Sequence, residues 1–251
     1  MLKYLPKTKE YVTHISFKNI TESMIRKISN IVLPTGLQMI FETGIFSAAI
    51  WISGVLGENQ LSANQIALNL ASMTFMVANG LGITAMIRVG NQLGAKNYVN
   101  LRRVAFSVFL LVLCTQVFFA GLLALLRDWL PSLYLEMDNI EKATTNAAVI
   151  SEAANLLLIA AIFQISDGLQ VTALGALRGV QDAKIPMVIT FIAYWLIAFP
   201  ILCFLGLHTS LGTMGIWIGL LTGLTAAAIC LLYRFNHISL RLITNRHKLP
   251  N

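Results

Sequence analysis

Six predominantly apolar stretches, each about 20 residues or longer, limit what this chain can become: residues 31–56, 64–87, 104–126, 147–177, 185–207 and 214–235. Coiled as an α-helix at about 1.5 Å per residue, each is long enough to cross a hydrocarbon core of roughly 30 Å. Helices are favoured because they satisfy their backbone polar groups within the segment, where lipid offers no partner. The pattern predicts an all-α polytopic membrane protein of six transmembrane helices, the fourth long enough to tilt or overhang. Hydrophobic residues make up 57% of the chain and charged ones 12%, against about a quarter charged in soluble domains, which excludes a water-soluble enzyme.

The net charge of +7 raises nucleic acid as a partner, but the basic residues cluster at the ends of the apolar stretches, with no aromatic-interleaved basic surface, so no nucleic acid is expected. Sixteen of the 18 Lys and Arg residues fall on one side of the alternating segments. The other side holds Arg127 and Lys142 among Glu58, Asp128, Glu136, Asp138 and Glu141. The positive-inside rule then places both termini in the cytoplasm and the chain in the cell (inner) membrane, with the bilayer as its first partner. Residues 1–30 carry six basic residues, no apolar core and no small-residue cleavage site, so they read as a cytoplasmic leader rather than a signal peptide. Residues 236–251 read as a basic cytoplasmic tail, and residues 128–146, with Trp129, Pro131 and Tyr134, as an external loop at the interface. Cys114, Cys203 and Cys230 lie in apolar stretches without ligand spacing and read as small packing residues.

Three acids interrupt the apolar segments: Glu42, Glu152 and Asp167. Ionisable groups at membrane depth are costly and face a bundle interior or a water-filled cavity, which makes them functional candidates. Glu42 stands eleven residues from the start of its segment and Asp167 eleven residues before Arg178, so each lies about 16 Å in, near the midplane. Glu152 is fifteen residues before Asp167, about 22 Å nearer the external face, where a carboxylate reaches headgroups. Two midplane carboxyls on antiparallel helices can hold a monovalent cation with nearby oxygens, or carry a proton. Gln38 is one turn before Glu42, and Gln164 and Gln170 each lie three residues from Asp167, so their amides can share the site. The plainer reading is that the acids only hydrogen-bond neighbouring helices. For Arg88 and Arg178, at helix ends, anchoring by snorkelling is favoured over gating, and Gly80, Gly82 and Gly90 suit close helix packing or a flexible break.

Five ordered blocks of sequence resemble the multidrug and toxic compound extrusion (MATE) family, in the second six-helix half of its twelve-helix transporters. They are Leu33-Pro34 with Phe41-Glu42; Ala63-Asn64-Gln65-Ile66-Ala67; Arg88 to Ala95; Gln164 to Gln170 leading to Gly175-Ala176-Leu177-Arg178-Gly179; and Tyr194-Trp195 with Pro200 and Gly215 to Gly219. The resemblance implies one lobe of a cation-coupled antiporter, not an enzyme. Such a transporter exports amphipathic cationic drugs by alternating access on a sodium or proton gradient, with no other cofactor. Glu42 and Asp167 match the family's acidic cation site, where sodium would bind. Phe163 stands where a tyrosine is often found and removes one hydroxyl ligand; Ala78 replaces a frequent helix-kinking proline. The first six-helix lobe is expected as a separate partner, or a second copy of the chain in its place. The remaining alternatives are an inactive truncated fragment and a related lipid-linked-oligosaccharide flippase; the flippase is disfavoured by the lack of a midplane basic residue. A membrane aspartyl protease is weaker still, since it needs a close Asp dyad, and here the second acid is glutamate and Asp167 follows Ser166.

Overall fold

A computed structural model of the chain describes residues 21–135 and 143–246. Most of the leader, the end of the tail, and Glu136, Asp138, Glu141 and Lys142 of the external loop lie outside the described residues. Among the described residues six helices are long and apolar enough to cross a membrane, and the protein is an all-α, multi-pass membrane protein. They are α1 (Glu22–Leu56), α2 (Glu58–Gly94), α3 (Tyr98–Leu125), α4 (Ala143–Gly179), α5 (Lys184–Leu207) and α6 (Thr213–Arg246).

Most of the helices outrun the apolar stretches that announce them. α1 begins at Glu22 rather than residue 31, and α6 continues to Arg246, so the last residues of what reads as leader and the first part of what reads as tail are helix. Hydropathy marks where lipid begins, whereas helical hydrogen bonding persists into the polar interface wherever side chains anchor it. On α6 those anchors are Arg234, which donates to Asp182 at 2.9 Å, and Ser239, which accepts from Arg102 of α3 at 2.9 Å. The turns are tight. Gly57 alone joins α1 to α2 at φ 146°, a backbone region that only glycine enters freely. Asn97 starts α3 by accepting from the Asn100 backbone N–H at 3.2 Å. Between α3 and α4 a short 3₁₀ helix, Leu130–Tyr134, is tied to α2 by the Tyr134 hydroxyl, 2.8 Å from Asn69 Oδ1.

α4 is the central helix, packed along α2, α3 and α6, while α1 is peripheral and rests mainly on the first part of α5 and on α2. Lipid gives no hydrophobic drive for one helix to leave it for another, so the bundle depends on close backbone approach. Between α2 and α4 a Cβ at Gly175 would land on the Gly82 carbonyl oxygen; between α5 and α6 a Cβ at Gly223 would stand 2.8 Å from the Ala193 carbonyl oxygen. Large side chains fill what remains: Trp217, Tyr194, Phe235 and Leu101 are fully buried.

α5 contains a π-helical segment, Ile192–Ala198. Pro200 has no N–H to offer the Leu196 carbonyl, and just before it the Phe199 N–H reaches back five residues to the Tyr194 carbonyl. The added residue per turn rotates Tyr194 into the bundle and leaves Trp195 against α1, where its ring sits 3.0 Å from a Cβ built on Gly44.

Gly175→Ala pushes a methyl group into backbone and is expected to destabilise the bundle by about 1–3 kcal/mol, whereas Gly80→Ala, with nothing within 4 Å of its Cβ, leaves stability unchanged. Thermal melting of the purified chain in detergent distinguishes them; equal melting of both variants with the parent contradicts the packing described here.

Candidate functional site

Glu42 of α1 and Asp167 of α4 line one cavity of about 400 Å³, walled otherwise by the hydroxyl side chains Thr43 and Ser72 and by apolar ones including Phe46, Leu68, Phe75 and Phe163. Three helices supply it: α1, α2 and α4. Asp167 is 5% exposed and Glu42 partly buried, and the two carboxyl groups are close enough to interact electrostatically.

A second layer of polar groups stands around Glu42. Gln38 is 3% exposed and accepts a hydrogen bond from Arg178 Nη2 at 2.9 Å, with the guanidinium also in electrostatic reach of Glu42. Gln170 and the Tyr194 hydroxyl, both fully buried, come within polar range of the Glu42 carboxyl, yet neither the Gln170 amide nor the Tyr194 hydroxyl completes a hydrogen bond. Orphaned buried polar atoms are rare, and three of them, both amide atoms of Gln170 and the Tyr194 hydroxyl oxygen, stand beside Glu42. The oxygens of Gln170 and Tyr194 with those of the carboxyl groups form a donor set suited to a hard monovalent cation. Among the described residues no three His, Cys, Asp or Glu side chains cluster, so the ligand set of a transition-metal site does not form.

The remaining candidates separate. Phe163 lines the cavity and packs edge-on against Phe46 at 6.1 Å and Trp217 at 5.4 Å between ring centroids. Trp217 is itself held by its indole N–H, 2.9 Å from Asn64 Oδ1, which fixes α6 against α2 behind that wall. Gln164 is buried but lies outside the cavity lining, and its backbone carbonyl accepts from Gln116 Nε2 of α3 at 3.2 Å. Glu152 accepts a 2.6 Å hydrogen bond from Thr213 at the start of α6, a structural tie remote from the cavity. Arg88 is exposed in the closing turns of α2, as an anchor would be. Arg178 is not placed like an anchor: it turns inward and ties α4 to α1. On α2 a Cβ at Gly82 would stand 3.1 Å from the Val171 carbonyl oxygen and one at Gly90 3.6 Å from that of Gly179, whereas one at Gly80 would meet nothing within 4 Å.

Sequence reasoning missed two members of the site, Tyr194 and the inward Arg178. Tyr194-Trp195 beside Pro200 was the available signal for the first, because a proline inside an apolar helix disturbs the 3.6-residue register that assigns faces.

The MatE family pattern matches residues 34–204. A probable multidrug resistance protein NorM of Xylella fastidiosa (strain 9a5c) is 37% identical over 218 residues, 87% of this chain and 45% of that protein. One of the same description from Acinetobacter baylyi is 37% identical over 256 residues, 99% of this chain and 53% of that protein. The fold resembles the crystal structure of the eukaryotic MATE transporter AtDTX14 with a TM-score of 0.75 at 19% identity, covering 94% of this chain and 54% of that one. The chain therefore spans about half the length of the curated relatives it matches.

Proposed function

The chain belongs to the MatE family, a family of transporters rather than catalysts, and from that premise we propose that it forms the C-terminal lobe of a cation-coupled multidrug antiporter. The observation that carries the reading is the sharing of one cavity by Glu42 and Asp167. In this mechanism the driving ion, sodium or a proton, binds at the two acids. Burial makes an uncompensated charge there costly, so ion occupancy biases the arrangement of α1 against α4. Gln170 and Tyr194 supply neutral oxygens, and Arg178, held by Gln38, balances the Glu42 charge when no ion is bound. Tyr194 offers the phenol oxygen that Phe163 lacks, so sodium remains as open as the proton.

Drug binding takes the apolar part of the same cavity. The aromatic faces of Phe46, Phe75 and Phe163 beside carboxylates suit amphipathic organic cations. The opposite wall comes from a second six-helix lobe, or from another copy of this chain, and alternating access is the rocking of one lobe against the other. The basic end of the bundle faces the cytoplasm of the cell bounded by the inner membrane.

Two outcomes are expected. In a complete two-lobe assembly reconstituted in liposomes, Asp167→Asn and Glu42→Gln each abolish ethidium efflux under imposed sodium or proton gradients, while Glu152→Gln stays within about twofold of the parent rate. Gradient-driven efflux at parent rate in both acid variants removes the coupling assignment. For orientation, in a background lacking Cys114, Cys203 and Cys230, a cysteine replacing Asp128 is labelled by an impermeant thiol reagent in intact cells and one replacing Asn245 is not; the reverse pattern overturns the assigned sidedness.

A further inference from the structure

On the face of the bundle opposite the acids, α3, α4 and α6 enclose a groove of about 580 Å³ lined by Arg102, Phe106, Leu110, Leu113, Leu169 and Leu232 among others. Its chemistry is polarised. Arg102 is the charged residue in the lining, and beyond it the lining residues on α3 are apolar. The guanidinium is fixed in two ways: Nη1 donates to Ser239 at 2.9 Å, and the guanidinium carbon stands 4.8 Å above the Phe106 ring. One N–H is used, and the rest of the five-donor fork remains for a ligand.

The depth of the groove matches one leaflet. From Arg102 to Leu113 is eleven residues of helix, about 16 Å, against about 15 Å for half of a 30 Å hydrocarbon core. Arg102 stands near the end of α3 that carries Arg103 as well, and α6 alongside carries Arg234 and Arg241, while neither α3 nor α6 contains a single Asp or Glu. The Asp182 carboxylate beside this end is paired with Arg234. The groove therefore presents a positive head at headgroup depth and an apolar trough below it, with no acidic side chain on α3 or α6 to repel an anion.

We propose that this groove is a binding site for one anionic phospholipid, its phosphate on the Arg102 guanidinium and an acyl chain along Phe106, Leu110 and Leu113 against Leu169 and Leu232. Charge complementarity selects the headgroup, since a basic pocket between transmembrane helices favours an anionic lipid over a zwitterionic one. The bound chain fills the seam between α3 and α6, two helices that otherwise meet sparingly. Anionic lipid thus stabilises α6 against α3 on the face away from the cavity.

The test uses the purified chain in detergent, titrated with phosphatidylglycerol or phosphatidylcholine of identical acyl chains, with bound lipid counted by native mass spectrometry and the melting temperature read in parallel. Phosphatidylglycerol is expected to bind more tightly and to raise the melting temperature further than phosphatidylcholine. Arg102→Gln weakens phosphatidylglycerol binding about fivefold, the worth of one basic residue at a membrane surface, and weakens phosphatidylcholine binding less, because choline offsets the charge of the same phosphate. Leu113→Trp fills the trough and produces the same loss with every charge retained, which keeps the test open if Arg102→Gln does not fold. Arg103→Gln, outside the groove lining, leaves the preference intact. The proposal is overturned if the parent shows no preference for phosphatidylglycerol, if Leu113→Trp binds it as the parent does, or if Arg103→Gln costs as much as Arg102→Gln.

Discussion

A carboxylate in hydrocarbon has to be enclosed, and the architecture of this lobe follows from enclosing two of them in one cavity. Asp167 sits on α4, the most extensively packed helix, and is 5% exposed. Glu42 sits on α1, the helix with the least packing against the body. The pair spans the boundary between a rigid part and a peripheral part of the bundle, and whatever occupies the space between the carboxyls acts on that boundary. The close backbone contacts, Gly175 on Gly82 and Gly223 on α5, lie within the rigid part. The link from α4 to α1 runs instead through Arg178 and Gln38, a polar contact that electrostatics can strengthen or weaken.

The comparison with relatives gives this arrangement a wider meaning. Relatives at 37% identity are about twice as long as the segment they share with this chain, and the fold is that of one half of AtDTX14. The cavity side, built from α1, α2 and α4, presents acids and aromatic rings; the opposite side, built from α3, α4 and α6, presents a basic groove at one end. One helix bundle thus has two chemically distinct faces.

Much of this was legible in the sequence, for identifiable reasons. The six spans could be read because hydrocarbon imposes a minimum length of apolar residues, and the pairing of Glu42 with Asp167 because helical rise converts residue number into position along a helix. Helix ends were not, since hydropathy reports the lipid boundary and α6 is held beyond it by Arg234 and Ser239. Gln164 and Gln170 flank Asp167 symmetrically, about 60° to either side on a helical wheel, so sequence treats them alike. Packing does not: Gln164 presents its carbonyl to Gln116 of α3, while Gln170 comes within polar range of Glu42. Tyr194 was concealed by the π-helical segment before Pro200, which breaks the periodicity that face assignment relies on. Arg178 was read as an anchor because an arginine at a helix end carries the same sequence signal whether it turns out to water or inward to Gln38.

The central claim, that the driving cation acts at Glu42 and Asp167 within this lobe, is tested most directly by infrared difference spectroscopy of the carboxyl groups. Spectra of the purified chain are recorded as sodium is added at fixed pH and, separately, as protons are added without sodium. The expected result is a carboxyl difference signal for at least one of the two cations, partly lost in Glu42→Gln and in Asp167→Asn and absent in the double variant. A parent spectrum that responds to neither cation in the carboxyl region, or a signal that survives intact in the double variant, contradicts the account.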